Sequence, residues 1–238
     1  MTTMPMTFDA ALIDLDGTLV HSLPDLAAAA NLLLQDLNQA PMPDDMLAGF
    51  VGKGSRDMLR RMLEARSPAP APPPDDARLD ALVAQFFRHY RRINGQRSVV
   101  YPGVIEGLQA FQKAGVRLAV VTNKAFEFTE QLLAHTGLAE YFDLIVAGDS
   151  CSHKKPHPAP LLHACHYLDV APERALMIGD SINDAQAARS AGVPVVLVPY
   201  GYNHGHDVQG LDVDGIVSSI EDAVRWAASA QPNHPAPP

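Results

Sequence analysis

Residues 10–19 read AALIDLDGTL, an apolar run that closes on two aspartates, a glycine and a threonine. The part AALIDL (10–15) carries no turn residue and no polar alternation, which suits a strand buried on both faces of a parallel sheet. Asp14 and Asp16 stand two positions apart, so on extended chain their side chains start on the same side. Gly17 allows the chain to turn sharply where the strand stops. Carboxylates this close repel each other unless a cation or a proton stands between them.

Working outward, four more runs have the same character: VRLAVVT (116–122), FDLIVA (142–147), RALMIGD (174–180) and VPVVLV (193–198). Helical sequence lies between most of them, over Val104–Ala114, Ala125–His135, Pro158–Leu168 and Asn183–Ala191, with Gly115, Gly137 and Gly192 where C-caps belong. This alternation predicts an α/β fold with a doubly wound, mainly parallel sheet. One connection is far too long: the first strand ends near Asp16 and the next begins near Val116. Helical sequence over Asp25–Asp36, Ser55–Ala65 and Asp75–Arg92 fills it, where a crossover needs only one helix. The expected organisation is an α/β core over 1–18 and 97–230 with an inserted helical cap over 19–96. Proline-rich SPAPAPPP (67–74) is expected to be an extended loop, and 231–238 a disordered tail. The segments near 19–24 and 93–103 would be the hinges.

The 238 residues are 47% hydrophobic and 19% charged, with a formal net charge of −9. That balance argues against nucleic acid or an anionic membrane as partner, since both need positive potential over the contact. No apolar run reaches the length of a membrane span, and MTTMPMTFDA lacks the pattern of a signal peptide. Cys151 and Cys165 read as free thiols, so the expectation is a cytoplasmic protein.

Four segments in order carry a resemblance. They are DLDGTL (14–19), VVTNK (120–124), KKPHP (154–158) and GDSINDAQAA (179–188). On them the chain resembles the haloacid dehalogenase-like superfamily of phosphohydrolases over nearly its whole length. The resemblance implies a sheet of order 5-4-1-2-3, with strand 1 between strands 2 and 4. Ligands of doubly wound sheets sit beyond the carboxyl ends of the strands at such a switch point. It also implies the roles. Asp14 is the nucleophile toward phosphorus and Asp16 the acid and base. Thr122 and the Asn123 amide bind phosphoryl oxygens, and Lys155 offsets phosphate charge and orients Asp14. Asp14, Asp180 and the backbone carbonyl of Asp16 hold Mg2+, with Asp184 behind them.

Asp16 separates the chain from true dehalogenases, which lack a second aspartate in the first motif, and a sugar phosphomutase shares it. The segments FDLIVAGD, KKPHPAPLL, VPYGYN (198–203) and GFVGKGSRDML (49–59) are most similar to bacterial members that hydrolyse 2-phosphoglycolate. His21–Ser22 departs from the Asp–Ser pair common there. A small phosphorylated metabolite is the expected partner of a monomer or homodimer. Other caps of the family serve sugar phosphates such as N-acetylmuramate 6-phosphate, and a non-catalytic binding module on this fold is the alternative of another class. In the cap, Lys53 between Gly52 and Gly54 is the expected reader of a substrate carboxylate, with Arg56 as a weaker second. Lys154, His153, His157, His163, His166, His204 and His206 are expected to be solvated, with His157 placed to help position Lys155.

Overall fold

The computed structural model describes residues 6–66, 75–203 and 207–230. Along the chain these form β1 (Ala10–Ile13), β2 (Val20–His21), α1 (Leu23–Asp36), α2 (Asp44–Ala48), α3 (Ser55–Arg66), α4 (Asp76–Ile93) and β3 (Val99–Val100). Then come α5 (Val104–Lys113), β4 (Arg117–Val121), α6 (Phe126–Thr136), β5 (Leu144–Val146), α7 (Ala159–Tyr167), β6 (Ala175–Gly179), α8 (Ile182–Ala191), β7 (Val195–Leu197), β8 (Gly215–Ile216) and α9 (Ile220–Ser229).

Six strands make one parallel sheet in the order β5-β4-β1-β6-β7-β8. The first five reproduce the expected order, and β8 extends it at one edge. β1, β4 and β6 are buried on both faces, which explains their unbroken apolar runs. One face packs α5 and α9 on Ile13, Val120 and Ile178, and the other packs α7 and α8 on Leu12, Val121 and Met177. Gly137 and Gly192 cap α6 and α8 in the left-handed region, as their positions suggested. The proline-rich loop, the tail, and His204 and His206 lie outside the described residues.

The long connection holds α1 to α4 between the short antiparallel strands β2 and β3. These helices bury their own apolar cluster, from Leu26, Leu33, Leu59 and Met62 to Phe86 and Tyr90. Phe128 and Tyr202 join it from the sheet side, so the insertion is seated on the crevice above β1 and β4. Asp25, fully buried in the first turn of α1, ties the way out to the way back. Its carboxylate accepts from the backbone N–H of Gly95, Arg97 and Ser98 and from the Ser98 hydroxyl, at 2.6–3.1 Å for the shortest contact of each. Several charge-assisted bonds to one carboxylate offset its desolvation and tie the two connecting segments together. His21 bonds Tyr202 at 2.8 Å and Tyr101 at 3.3 Å at the same junction.

Candidate active site

The carboxyl ends of β1, β4 and β6 face one crevice, because β1 lies between the other two. Asp14 follows β1, Thr122 follows β4 and Asp180 follows β6, and all three are buried. Lys155 reaches in from the loop after β5. Its ammonium lies 2.9 Å from Asp14 Oδ1 and 2.6 Å from Asp184 Oδ1, and it donates to the Val121 carbonyl at 2.6 Å. Three acceptors satisfy three donors, so this buried charge is paired and hydrogen-bonded.

Asp184 is fully spent on its neighbours. Besides Lys155, it accepts from Ser181 N at 3.1 Å, Ser181 Oγ at 2.7 Å and Asp180 N at 3.3 Å, closing a capping box on α8. Such a cap stabilises a helix by about 1 kcal/mol. Here it also aims the residue that anchors Lys155.

Asn123 braces rather than reaches. Its side-chain oxygen accepts from Lys155 N at 2.9 Å, and its NH2 donates to the carbonyls of Lys155 and Gly52, each at 2.9 Å. This side chain locks the Lys155 loop and pins the 51–54 turn of the insertion over the crevice. The cleft so formed is lined by Asp14, Asp16, Thr122 and Lys124 below and by Val51, Gly52, Gly54, Ser55 and Met58 above.

The cap residues singled out from the sequence separate here. Gly52 and Gly54 line the cleft, with φ of 121° and 86° that favour glycine. Lys53 between them is exposed and is not among the lining residues. Arg56 is held on the outer surface, 2.9 Å from Asp76 and 3.0 Å from Asp80 of α4. The α3–α4 pairing supplies those acids, which a reading of residues 49–59 alone does not contain. Lys154 is exposed. His153, His157, His163 and His166 are exposed as expected, and His157 accepts from Ala159 N and stacks on His153 without touching Lys155. Cys151 and Cys165 are free thiols.

Sequence reading passed over Lys124. It is buried, and its ammonium lies 3.0 and 3.2 Å from the two oxygens of Asp16 and 2.6 Å from Tyr90 Oη. A lysine that ends an apolar strand segment one residue past two site residues was the available signal.

Electrostatics give the donor set its character. Carboxylate oxygens of Asp14, Asp180 and Asp184 lie within 4.8 Å of one another. Four acids, Asp14, Asp16, Asp180 and Asp184, face two ammonium groups, Lys124 and Lys155, a formal surplus of two negative charges in a buried crevice. Burial, then the charges of Asp184 and Asp16 against the opposing pull of Lys155, push Asp14 up to about 6. Burial, then Asp14 and Asp184, raise Asp180 well above the ordinary carboxylate range. For Lys155 burial works against the charge, but Asp14 and Asp184 outweigh it and raise its pKa. An all-oxygen donor set with two surplus negative charges fits a hard divalent cation such as Mg2+.

A stability prediction follows from Asp14. Its folded pKa, about 6, exceeds the unfolded value of about 3.9, so metal-free protein loses stability as pH rises from about 4 through 6. The loss is on the order of 3 kcal/mol. Asp14→Asn removes that titration. In EDTA its Tm advantage over wild type should be small at pH 4 and grow to several degrees at pH 7. A Tm difference that does not change across this range would contradict the assignment.

The haloacid dehalogenase-like hydrolase family matches residues 11–198, which span every element from β1 to β7. The chain belongs to that family. It is 44% identical to the phosphoglycolate phosphatase of Thiobacillus denitrificans over 231 residues, covering 97% of this chain and all of the relative. It is 45% identical to the phosphoglycolate phosphatase of Nitrosospira multiformis over 221 residues, covering 93% and 96%. A solved structure described as a predicted phosphoglycolate phosphatase from Haemophilus somnus superposes with a TM-score of 0.83 at 33% identity, covering 92% of this chain and 98% of that one. Among the described residues no helix is long and apolar enough to cross a membrane.

Proposed function

We propose that the chain is a magnesium-dependent phosphate monoester hydrolase that works through a phosphorylated Asp14 and acts on 2-phosphoglycolate. The observation that carries the reaction is the Asp14 carboxylate at the switch point, 2.9 Å from a buried lysine and grouped with two further buried acids. The substrate reading rests on the likeness to relatives named phosphoglycolate phosphatase.

In this reading Asp14 Oδ attacks phosphorus, and the bond from phosphorus to the glycolate oxygen breaks. Asp16 gives its proton to that oxygen, so glycolate leaves as an alcohol. Asp16 then takes a proton from water as the water oxygen attacks phosphorus. The phosphorus–Asp14 bond breaks and inorganic phosphate is released with the carboxylate restored. Thr122 and the backbone N–H of Asn123 orient phosphoryl oxygens, since the Asn123 side chain is committed to the two loops. Lys155 keeps Asp14 aimed and offsets phosphate charge. Asp14, Asp180 and the Asp16 carbonyl would hold Mg2+, which supplies charge neutralisation to the phosphoryl group.

Turnover of a panel of phosphate esters tests the proposal, with 2-phosphoglycolate expected to give the highest kcat/KM. Preference for a sugar phosphate would overturn the substrate and leave the phosphatase standing. Lys53 sits in the rim turn, flanked by the lining glycines. Turned inward over bound substrate, it would meet the carboxylate. Lys53→Ala should then lower kcat/KM for 2-phosphoglycolate by about 10- to 100-fold, the equivalent of about 1.4–2.7 kcal/mol. The loss on p-nitrophenyl phosphate, which has no carboxylate, should be much smaller. Equal losses on both esters would remove Lys53 from substrate recognition.

A further inference from the structure

An acid that serves one oxygen must be aimed at it, and Asp16 is aimed by a residue outside its own strand. Lys124 stands immediately before α6, whose N-cap is Ala125. Its side chain is buried and lines the cleft. It bridges both Asp16 oxygens, while the Ser22 hydroxyl donates to one of them. The remaining donor goes to Tyr90 Oη at 2.6 Å, and the ammonium lies 4.9 Å from the centre of the Tyr90 ring.

Tyr90 belongs to the inserted helices, in the last turn of α4. It is itself immobilised between the two parts of the protein. Its ring stacks on Phe86 of α4 at 5.4 Å and tilts against Phe128 of α6 at 4.9 Å. Beside it Asn94 donates to the Phe128 carbonyl at 2.9 Å, and Arg91 pairs with Glu127. The carboxylate of Asp16, the ammonium of Lys124 and the phenol of Tyr90 thus form a line from the sheet to the insertion. A free lysine side chain has many rotamers, and fixing one at both ends removes that freedom before the reaction begins.

We propose that Lys124, gripped by Tyr90, is a positioning residue for Asp16, so that the acid is correctly aimed only while α4 is docked on α6. This rests on the reading of Asp16 as proton donor to the leaving oxygen. Protonation matters for an alkoxide leaving group and little for p-nitrophenolate, which is stable as an anion. A defect in aiming Asp16 must therefore depend on the leaving group, whereas a merely structural defect must not.

The experiment compares 2-phosphoglycolate, ethyl phosphate and p-nitrophenyl phosphate as substrates of Lys124→Met, Tyr90→Phe and Asp16→Asn, all with magnesium present. The readout is kcat/KM, which reports the steps through transfer to Asp14 and is insensitive to later hydrolysis. Tyr90→Phe keeps the ring packing and removes only the hydroxyl, so it serves where Lys124→Met folds poorly. Lys124→Met should lower kcat/KM about 100-fold on both alkyl esters, and Tyr90→Phe about 10-fold. In each variant the loss on p-nitrophenyl phosphate should be at least several-fold smaller. Losses equal on all three esters would overturn the proposal. So would a loss confined to 2-phosphoglycolate with ethyl phosphate spared, which would make Lys124 a carboxylate reader. Asp16→Asn separates the two levels. If it too shows no dependence on the leaving group, the reading of Asp16 as acid has failed. If it alone shows that dependence, only the role of Lys124 and Tyr90 has failed.

Discussion

Asp14→Asn is expected to lower turnover at least about 1,000-fold, the equivalent of about 4 kcal/mol of barrier, while the protein stays folded. The amide has the size of the carboxylate but no anionic oxygen to attack phosphorus. The surroundings tolerate it. Lys155 keeps Asp184 and the Val121 carbonyl as partners, and the Asp14 N–H keeps its bond to the Ile178 carbonyl at 2.9 Å. Removing one of four clustered carboxylates also relieves the burial and repulsion that push Asp14 up to about 6. Loss of activity should therefore coincide with equal or higher thermal stability in EDTA, a combination that a misfolded variant cannot give. Beryllium fluoride or aluminium fluoride with magnesium should bind wild type against the Asp14 carboxylate and should not bind the variant. Turnover within tenfold of wild type in homogeneous variant protein would sink Asp14 as nucleophile.

The parts of the site that were legible in the sequence are those that a strand end carries alone. Asp14 and Asp16 sit in one hexapeptide after an unbroken apolar run, and Asp180 follows another, so chain order places them once the sheet order is fixed. The capping box of Ser181 and Asp184 is likewise local. What escaped depends on distant partners. Lys124 gains its meaning from Tyr90, 34 residues away, and Asp16, 108 residues away, and nothing near it announces either. Asp25 reads as an ordinary acid in the first turn of a helix, yet it binds the returning hinge some 70 residues on. Arg56 and Lys53 look alike beside the glycines, and only the packing of α3 on α4 turns Arg56 toward Asp76 and Asp80. Five elements were passed over, and four of them, β2, α2, β3 and β8, are only two to five residues long. The fifth, α9, does carry a helical pattern, with Ile220, Ala223 and Ala227 buried at i, i+3 and i+7 behind a Ser219 side chain that accepts from Asp222 N.

Chelation should stop activity, and added magnesium should restore it. The position of Asp180 makes it the residue through which this dependence is best tested. Tyr202 N donates to its Oδ2 at 2.5 Å, and the other oxygen has only a long contact with Thr18 at 3.5 Å, so a lone-pair set remains to bind a cation. Two glycines wall the carboxylate. A Cβ on Gly17 would stand 2.2 Å from Asp180 Oδ2, and one on Gly201 would stand 2.1 Å from it. Neither distance is physical, so only glycine at 17 and 201 lets these two turns approach the carboxylate this closely. Asp180→Ala removes a candidate oxygen ligand for that cation. The concentration of magnesium giving half-maximal activity should rise at least about 10-fold, and kcat at saturating magnesium should fall about 100-fold or more, the equivalent of about 2.7 kcal/mol. A readout independent of activity accompanies it. A cation held by a folded site stabilises the folded state, so magnesium should raise the Tm of wild type as its concentration increases, and that rise should be lost in Asp180→Ala. Full activity of wild type in excess EDTA, or an undiminished magnesium-dependent Tm rise in the variant, would mean that the buried acids serve something other than a divalent cation.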